Sequence, residues 1–191
     1  MMPEPEANAE VRANSFTAAD VETILRERGW IRSESESTLN GRGLYLEPAA
    51  NWMAEAAALL GPHAADRQAL ARLLSLIFEY DAHKVLALRE CQEVLTREGA
   101  REVVRALATE ILSGGPVDSS LLKEIVAALK AGLPYSSREL FHPLRVALAG
   151  CVGGGELDRV VLLLDGAAGT EGLAPVKSVR TRVLEFCAAL D

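Results

Sequence analysis

Three histidines are the side chains of this sequence best suited to bind a metal ion or to transfer a proton near neutral pH. His63, His83 and His142 stand far apart along the chain. Zinc ligands on a helix usually come in pairs three or four residues apart. Asp81 and His83 are only two residues apart, so on a helix they point to different faces. The sequence therefore predicts neither a metal site nor a bound cofactor.

The patterns that mark nucleophiles and phosphate-binding loops do not occur in the sequence. It has no Gly-x-Ser-x-Gly, no Gly-x-x-x-x-Gly-Lys-Ser/Thr and no dinucleotide fingerprint after a strand. The glycine-rich stretch at 150–156, GCVGGGE, has no lysine and no preceding strand. The glutamate pairs Glu90 with Glu93 and Glu98 with Glu102 fit a solvated helix face better than acid–base catalysis. We therefore expect a protein that is not an enzyme.

The composition is that of a globular, mildly acidic chain with an aliphatic core. Of its 191 residues 49% are hydrophobic and 5% aromatic, the net charge is −7 and the pI is about 5.1. A broad electrostatic grip on nucleic acid usually needs a pI above about 9, although a local basic surface stays compatible with this balance. Residues 1–65 carry 10 acidic and 5 basic side chains, and residues 66–191 carry 17 and 15. Most of the net acidity is therefore N-terminal.

The cysteines and the lack of long apolar runs indicate a cytoplasmic protein. Cys91, Cys151 and Cys187 are odd in number, far apart and surrounded by apolar residues, which predicts buried thiols in a reducing compartment. No apolar run approaches the ~18 residues of a membrane span, and the acidic N-terminus has no signal-peptide core. We expect no membrane partner.

Apolar residues recur at helical spacing from residue 48 onward, with the clearest stripes in 70–78 and 157–164. The pattern predicts an all-α fold, a compact multi-helix bundle of eight or nine short helices, as one unit or as two helical subdomains that meet near 114–116. At most one small N-terminal hairpin is expected, with arms at 30–31 and 44–46, and a plain loop is the equal alternative.

Local signals place several helix boundaries and divide the chain. Thr17 and Asp20 form a capping-box pair that starts a helix over 17–28. One helix is expected over 82–97, and a last helix has Pro175 in its first turn. The predicted segments are a disordered acidic lead-in at 1–15, an N-terminal helical extension at 16–64 and a larger helical domain at 65–191.

The stretch SSRELFHPLRVALAG, residues 136–150, combines a helix-start signal with a proline a few residues later. Ser136 and Glu139 form a second capping-box pair. Pro143 has no N–H, and its ring clashes with the carbonyl four residues back, which is that of Glu139. The sequence predicts a short turn over 136–141, followed by a new helix that begins near the proline.

This stretch resembles the C-terminal anticodon-binding region of bacterial glutamyl-tRNA synthetases. That family has a Leu-Phe-x-Pro-Leu-Arg-x-Ala-Leu-Thr-Gly segment and, after a short gap, Gly-Pro-Glu-Leu and a leucine-rich helix ending in Gly. The matching residues here are Leu140, Phe141, Pro143, Leu144, Arg145, Ala147, Leu148 and Gly150, followed by Gly154, Glu156, Leu157 and the LLLDG of 162–166. Ala149 replaces the family's Thr, and Gly155 its Pro. With a weaker helical similarity upstream, the resemblance covers about 65–166.

The resemblance implies an anticodon-binding-like helical domain over 65–191, and a non-catalytic module that binds tRNA or other RNA. Neither class I synthetase signature, His-Ile-Gly-His or Lys-Met-Ser-Lys-Ser, occurs in the sequence. We therefore expect a free-standing relative of the anticodon-binding module, without the catalytic domain and unable to activate an amino acid.

The candidate RNA contacts are basic residues beside this motif and on the last predicted helix: Arg138, Arg145, Lys177, Arg180 and Arg182. Arginine suits phosphate and base recognition because its planar fork donates in pairs. Two alternatives stay open: Arg145 can instead bind a neighbouring carboxylate and hold the fold, and the C-terminal cations can form a solvated helix face. The acidic charge supports a second function, a protein-interaction or regulatory module that kept the fold and lost RNA binding.

Overall fold

The computed structural model describes residues 16–31 and 46–190 of the chain. Within these residues lie ten α-helices, a 3₁₀ turn over Gly61–His63 and one isolated antiparallel bridge, but no strand. In chain order the helices are α1 (Ala18–Arg28), α2 (Leu46–Leu60), α3 (Arg67–Phe78), α4 (Ala82–Ala87), α5 (Arg89–Leu95), α6 (Ala100–Ser113), α7 (Ser119–Gly132), α8 (Ser137–Ala149), α9 (Glu156–Ala168) and α10 (Val179–Leu190). The prediction of an all-α fold is confirmed. In the described part of the chain, no helix is both long and apolar enough to span a bilayer.

The central helix of the bundle is α9. It packs against α2, α3, α8 and α10, and its apolar side chains at Val160, Val161, Leu163 and Leu164 are almost fully buried. Burial on so much of its circumference explains why the run reads as VVLLL, which on its own would also suit a strand. The prediction of a helix at this position is confirmed.

Aromatic contacts attach the N-terminal helices to the rest of the core. Trp30, which follows α1, stacks on Phe78 at the end of α3 with ring centroids 4.8 Å apart. Trp52 of α2 meets the same Phe78 edge-on at 5.9 Å and donates its Nε1–H to the Leu163 carbonyl at 3.1 Å. Trp30, Trp52 and Phe78 therefore form one aromatic cluster that joins the end of α1 to α2 and α3, and Trp52 links this cluster to the backbone of α9.

The lead-in predicted at 1–15 and most of the predicted hairpin lie outside the described residues. The first arm of the hairpin is described, and Ile31 forms its antiparallel bridge with Leu173. The Trp30 carbonyl accepts the N–H of Ala174 at 2.7 Å. The chain that leaves α1 is thus held by the segment between α9 and α10.

The helix predicted over 82–97 is two helices, α4 and α5. Leu88 between them has extended backbone (φ −72°, ψ 126°). Its side chain is 44% exposed, so packing against the core does not hold this residue in a helical conformation. The Gln92 side-chain amide donates to the Leu86 carbonyl at 3.0 Å, which satisfies an acceptor at the end of α4.

The last helix begins at Val179 rather than at Pro175. The Ser178 hydroxyl accepts the N–H of Thr181 at 3.2 Å, as an N-cap residue does. The N–H of Val179 is bound by the carboxylate of Asp165 in α9, at 2.8 Å. Together these acceptors satisfy backbone donors that the first turn leaves free.

The prediction that a new helix begins near Pro143 is wrong. Helix α8 is continuous from Ser137 to Ala149 and carries Pro143 inside it. A proline inside a helix costs about 3 kcal/mol because a backbone hydrogen bond is lost. Leu140, Leu144 and the proline itself are buried, and their burial across the proline offsets that cost. The capping box at Ser136 and Glu139 is confirmed, with the Ser136 N–H donating to the Glu139 carboxylate at 2.7 Å.

Candidate nucleic-acid interface

Arg145 is joined to the next helix by a bidentate ion pair. Its Nε and Nη2 each donate to the Asp158 carboxylate at 2.8 Å, and Nη1 donates to the Gly153 carbonyl at 3.1 Å. The arginine side chain is only 13% exposed. The hydrogen bonds to Asp158 raise the pKa of the Arg145 guanidinium above its ordinary value. The sequence left two roles open for Arg145, contact with RNA and binding of a neighbouring carboxylate. In the structure Arg145 binds the carboxylate of Asp158.

Arg182 is fully buried, with none of its surface exposed. Its guanidinium donates to carbonyls from three segments: Lys177 at 3.2 Å, Leu76 at 2.9 Å, Leu148 at 2.7 Å and Ile77 at 2.5 Å. Burial lowers the pKa of Arg182 to about 10, which leaves the group charged at neutral pH. Arg182 has no accessible surface, holds helix ends together and does not line the groove described below.

The other three candidates are positioned by different parts of the fold. Lys177 Nζ lies 2.6 Å from the Glu185 carboxylate. Arg180 donates to the Leu112 carbonyl at the end of α6, at 3.1 Å. Arg138 is exposed near the start of α8. Of the five basic residues named from the sequence, Arg145 and Lys177 are in ion pairs, Arg182 is buried, and Arg138 and Arg180 are exposed.

His142 follows Arg138 by one helical turn and is partly buried. Its Nδ1 is buried, without a hydrogen-bond partner in the described part of the chain. Burial lowers the pKa of the ring below its ordinary value, and the cations of Arg138, Arg97 and Arg145 lower it further. The imidazole is therefore neutral at pH 7. Across residues 16–31 and 46–190, no three His, Cys, Asp or Glu side chains group closely enough to hold a metal ion.

A groove of about 390 Å³ lies between α7, α8 and α9, beside the motif. Its apolar wall comes mainly from Leu122, Val126 and Leu162, and the half-buried ring of Phe141 forms one side. We call it the basic groove because three exposed cations line it: Lys123, Lys130 and Arg159.

The Phe141 ring and the motif arginine connect the basic groove to the ion pair. Lys130 Nζ lies 5.7 Å from the Phe141 ring centroid, and Arg145 Cζ lies 5.0 Å from it. Asp158 also lines the groove, but its carboxylate is bound to Arg145. The exposed charge of the groove is therefore positive, although the whole chain is acidic.

Lys123, Lys130 and Arg159 are not among the basic residues named from the sequence. A usable signal was present for the two lysines, because residues seven apart return to the same face of a helix. What the sequence could not indicate is that α8 and α9 lie next to that face. The groove is created by packing between helices, so its members are separated in the chain.

Comparison with known proteins identifies the family. A family model described as the anticodon binding domain matches residues 32–167, which is more than half of the chain. Glutamate–tRNA ligases of Bacillus cytotoxicus and Bacillus cereus are each 35% identical to it over 75 residues, and that of Bacillus thuringiensis is 33% identical over 75 residues. Each alignment covers 39% of this chain but only 16% of the ligase. No solved structure gives a significant match.

The matched region runs from residue 32 through most of α9, so it includes the LFHPLR motif and all three helices of the basic groove. The expected resemblance to the anticodon-binding region of glutamyl-tRNA synthetases is thereby confirmed, and the chain belongs to the anticodon-binding domain family.

Proposed function

We propose that this chain is a non-catalytic module that binds RNA, with tRNA as the first ligand to test. The observation that carries the proposal is the match of residues 32–167 to the anticodon binding domain. The curated relatives are named as glutamate–tRNA ligases, and tRNA is the macromolecule in that name. Because the chain matches only 16% of their length, their full activity is not part of the proposal.

The basic groove supports RNA as the ligand. Lys123, Lys130 and Arg159 are exposed cations on two helices that line the groove, and lysine and arginine are among the side chains that contact nucleic-acid phosphates. An aromatic ring between them adds a surface on which a base can stack. The chain as a whole carries a net charge of −7, so the positive charge that could attract RNA is local to this groove.

The proposal assigns no catalytic step to this chain. Its sequence has no class I synthetase signature and none of the nucleophile or phosphate-loop motifs considered above. The most prominent cation of the family-like motif, Arg145, is engaged with Asp158, where it fixes the backbone of α8 and α9. We assign these helices the task of presenting a rigid binding surface.

A mobility-shift titration against total tRNA tests the proposal. If the three exposed cations each contact a phosphate, affinity should fall roughly 20- to 40-fold between about 50 mM and about 200 mM salt, because each contact releases counterions. A poly-glutamate competitor should displace little RNA. Absence of a shift at the lower salt concentration would overturn the proposal.

A second candidate function is a protein-interaction or regulatory module, and the acidic charge of the chain favours it. Four of the five basic residues named from the sequence are engaged by partners within the chain: Arg145, Lys177, Arg180 and Arg182. If tRNA binding is absent and a specific partner is still recovered from nuclease-treated extract, this second function replaces the first.

A further inference from the structure

We propose that residues 1–15 of this chain dock on the basic groove and cover it. The occupant is a segment of the chain itself, chosen by its charge, by its length and by the place where it joins the described fold. Docking needs no RNA. Its consequence, that RNA reaches the groove only when the segment leaves, rests on the proposed function.

The cations of the basic groove have no counter-charge from the described part of the chain. Lys123, Lys130 and Arg159 are exposed, and none of them forms an ion pair with an acidic side chain there. Asp158 also lines the groove, but its carboxylate is bound to Arg145. Like charges gathered at one site repel one another, so an anionic occupant stabilises the groove.

A second cleft, of about 630 Å³, continues the basic groove toward α2. Arg159 and Leu162 line both clefts, so the two form one trough across the surface. Beyond these shared residues the charge of the trough reverses, because three carboxylates line the second cleft: Glu55, Asp118 and Asp165. We call it the acidic cleft.

The described chain starts beside the acidic cleft. Phe16 packs against the end of α2, where a β-carbon placed on Gly61 would lie 3.5 Å from that of Phe16. Leu59, two residues before Gly61, lines the acidic cleft. Residues 1–15 therefore join the fold at the end of the trough where the acidic cleft lies, and the basic groove is farther away.

The charges of this segment follow the order of the charges along the trough. Arg12 stands four residues before Phe16, and three acidic residues stand farther from the fold: Glu4, Glu6 and Glu10. An extended chain spans about 3.3 Å per residue, so Arg12 reaches about 13 Å from Phe16 and the glutamates reach about 20 to 40 Å. Arg12 can thus meet the acidic cleft while the glutamates meet the cations of the basic groove.

Tethering favours this segment over a free acidic partner. A segment joined to the fold acts on it at an effective concentration on the order of millimolar. Ionic contacts at a surface are individually weak, but such contacts suffice at that concentration. A free poly-glutamate at lower concentration makes similar contacts and still displaces little RNA.

Zero-length cross-linking of the full chain tests the docking without RNA. A carbodiimide joins a carboxylate to a lysine amine that it contacts, and this chain has four lysines, two of which line the groove. The three glutamates of the segment should be joined to Lys123 or Lys130, and mass spectrometry of tryptic peptides identifies the pairs. Lys84 is the internal control, because it is exposed on α4 and lines neither cleft.

The same cross-linking experiment has three outcomes that overturn the docking. The first is that no glutamate of the segment is joined to Lys123 or Lys130. The second is that links to Lys84 are as frequent as links to these two lysines. The third is found by mixing chains labelled with ¹⁴N and ¹⁵N: links between differently labelled chains would make a second copy the source of the segment.

A triple variant tests the consequence for RNA: Glu4→Gln/Glu6→Gln/Glu10→Gln. If the segment covers the groove in about 70–90% of the molecules, this variant should bind tRNA about 3- to 10-fold more tightly, because apparent affinity scales with the open fraction. The matched control removes three exposed charges that line neither cleft, Glu79→Gln/Glu98→Gln/Glu171→Gln. Both variants change the net charge equally, so the difference between them reports the segment.

The docking and the proposed function fail in different ways. If the cross-links form but the two triple variants bind tRNA equally, the segment does not compete with RNA and the regulation is overturned. If the unmodified chain and both variants shift no tRNA at low salt, RNA binding itself is overturned, while the cross-links still decide whether the segment docks.

Discussion

The guanidinium of Arg182 takes the place that backbone amides hold in the interior of a helix. The last carbonyls of any helix have no donor from their own helix. Leu76 and Ile77 belong to the last turn of α3, and Leu148 to the last turn of α8, and all three carbonyls accept from this one side chain. A cation at these positions also interacts favourably with the negative end of each helix dipole. Arg182 thus joins two helix ends to α10.

We expect Arg182→Met to lower the free energy of unfolding by at least about 3 kcal/mol, because buried carbonyl oxygens left without a donor each cost about 1–3 kcal/mol. Urea denaturation followed by circular dichroism measures the change.

The matched control is Arg180→Met, two residues away on the same helix. Arg180 is exposed and makes one hydrogen bond, to the Leu112 carbonyl, so its loss should cost less than about 1 kcal/mol. Equal urea midpoints for the two variants would contradict the role given to Arg182.

The burial of Arg182 could be predicted only in part from the sequence. The stripe of Val179, Val183 and Phe186 places Arg182 at the border of the apolar face, where either exposure or burial is possible. Its acceptors at Leu76 and Leu148 lie 106 and 34 residues away in the chain. Periodicity identifies the face of a helix, but the carbonyls that await a donor on another helix have no signature in the sequence.

Between elements, the ion pair of Arg145 and Asp158 fixes how α8 lies on α9. Both groups are largely shielded from water, with side-chain exposures of 13% and 26%. The same arginine reaches the Gly153 carbonyl in the connecting loop. The Arg145 side chain therefore contacts both the loop and the helix that follow it. It also lies 5.0 Å from the centroid of the Phe141 ring, which forms one side of the basic groove.

A double-mutant cycle with Arg145→Met and Asp158→Asn should give a coupling energy of about 1.5–3 kcal/mol, as expected for a shielded, charge-assisted hydrogen-bonded pair. Urea denaturation of the four proteins measures it. The matched pair is Arg89 and Glu93, which are 92% and 61% exposed and should couple by no more than about 0.5 kcal/mol. Similar coupling in both pairs would show that Arg145 is not an interhelical anchor.

Helix boundaries were predictable where the signal is local. The capping boxes at Thr17 and Ser136 each involve residues three apart, and both are confirmed. Pro143 misled the prediction because the helix-breaking tendency is local, whereas the burial of Leu140 and Leu144 that opposes it depends on other helices. The break at Leu88 was missed because its neighbours keep a helical apolar pattern on both sides.

In the molecule as a whole, buried side chains from α1 to α10 form one continuous apolar cluster. Trp30 is 7% exposed and stacks on Phe78, so the segment before residue 32 contributes directly to the core. The division predicted between 16–64 and 65–191 stays a prediction, and the cooperativity of unfolding tests it.

We expect Trp30→Ala to lower the free energy of unfolding by about 3–5 kcal/mol, as for other buried aromatic side chains, and to leave a single transition. Tryptophan fluorescence and far-ultraviolet circular dichroism, recorded in the same urea titration, should give coincident curves. Leu184→Ala is the control, because Leu184 is 47% exposed. Two separate transitions would indicate that the N-terminal helices unfold independently.

The carboxylate of Asp165 binds the N–H of Val117 at 2.6 Å and that of Val179 at 2.8 Å. The conformational entropy of this one side chain is lost when the first of the two segments docks on α9, so the second docks at a lower entropic cost. A local opening that releases one segment therefore loosens the other. Val117 and Val179 are 62 residues apart in the sequence. Their amide hydrogens should nevertheless exchange with solvent as one unit, because both are bound by the same carboxylate. Hydrogen exchange followed by NMR measures the two rates.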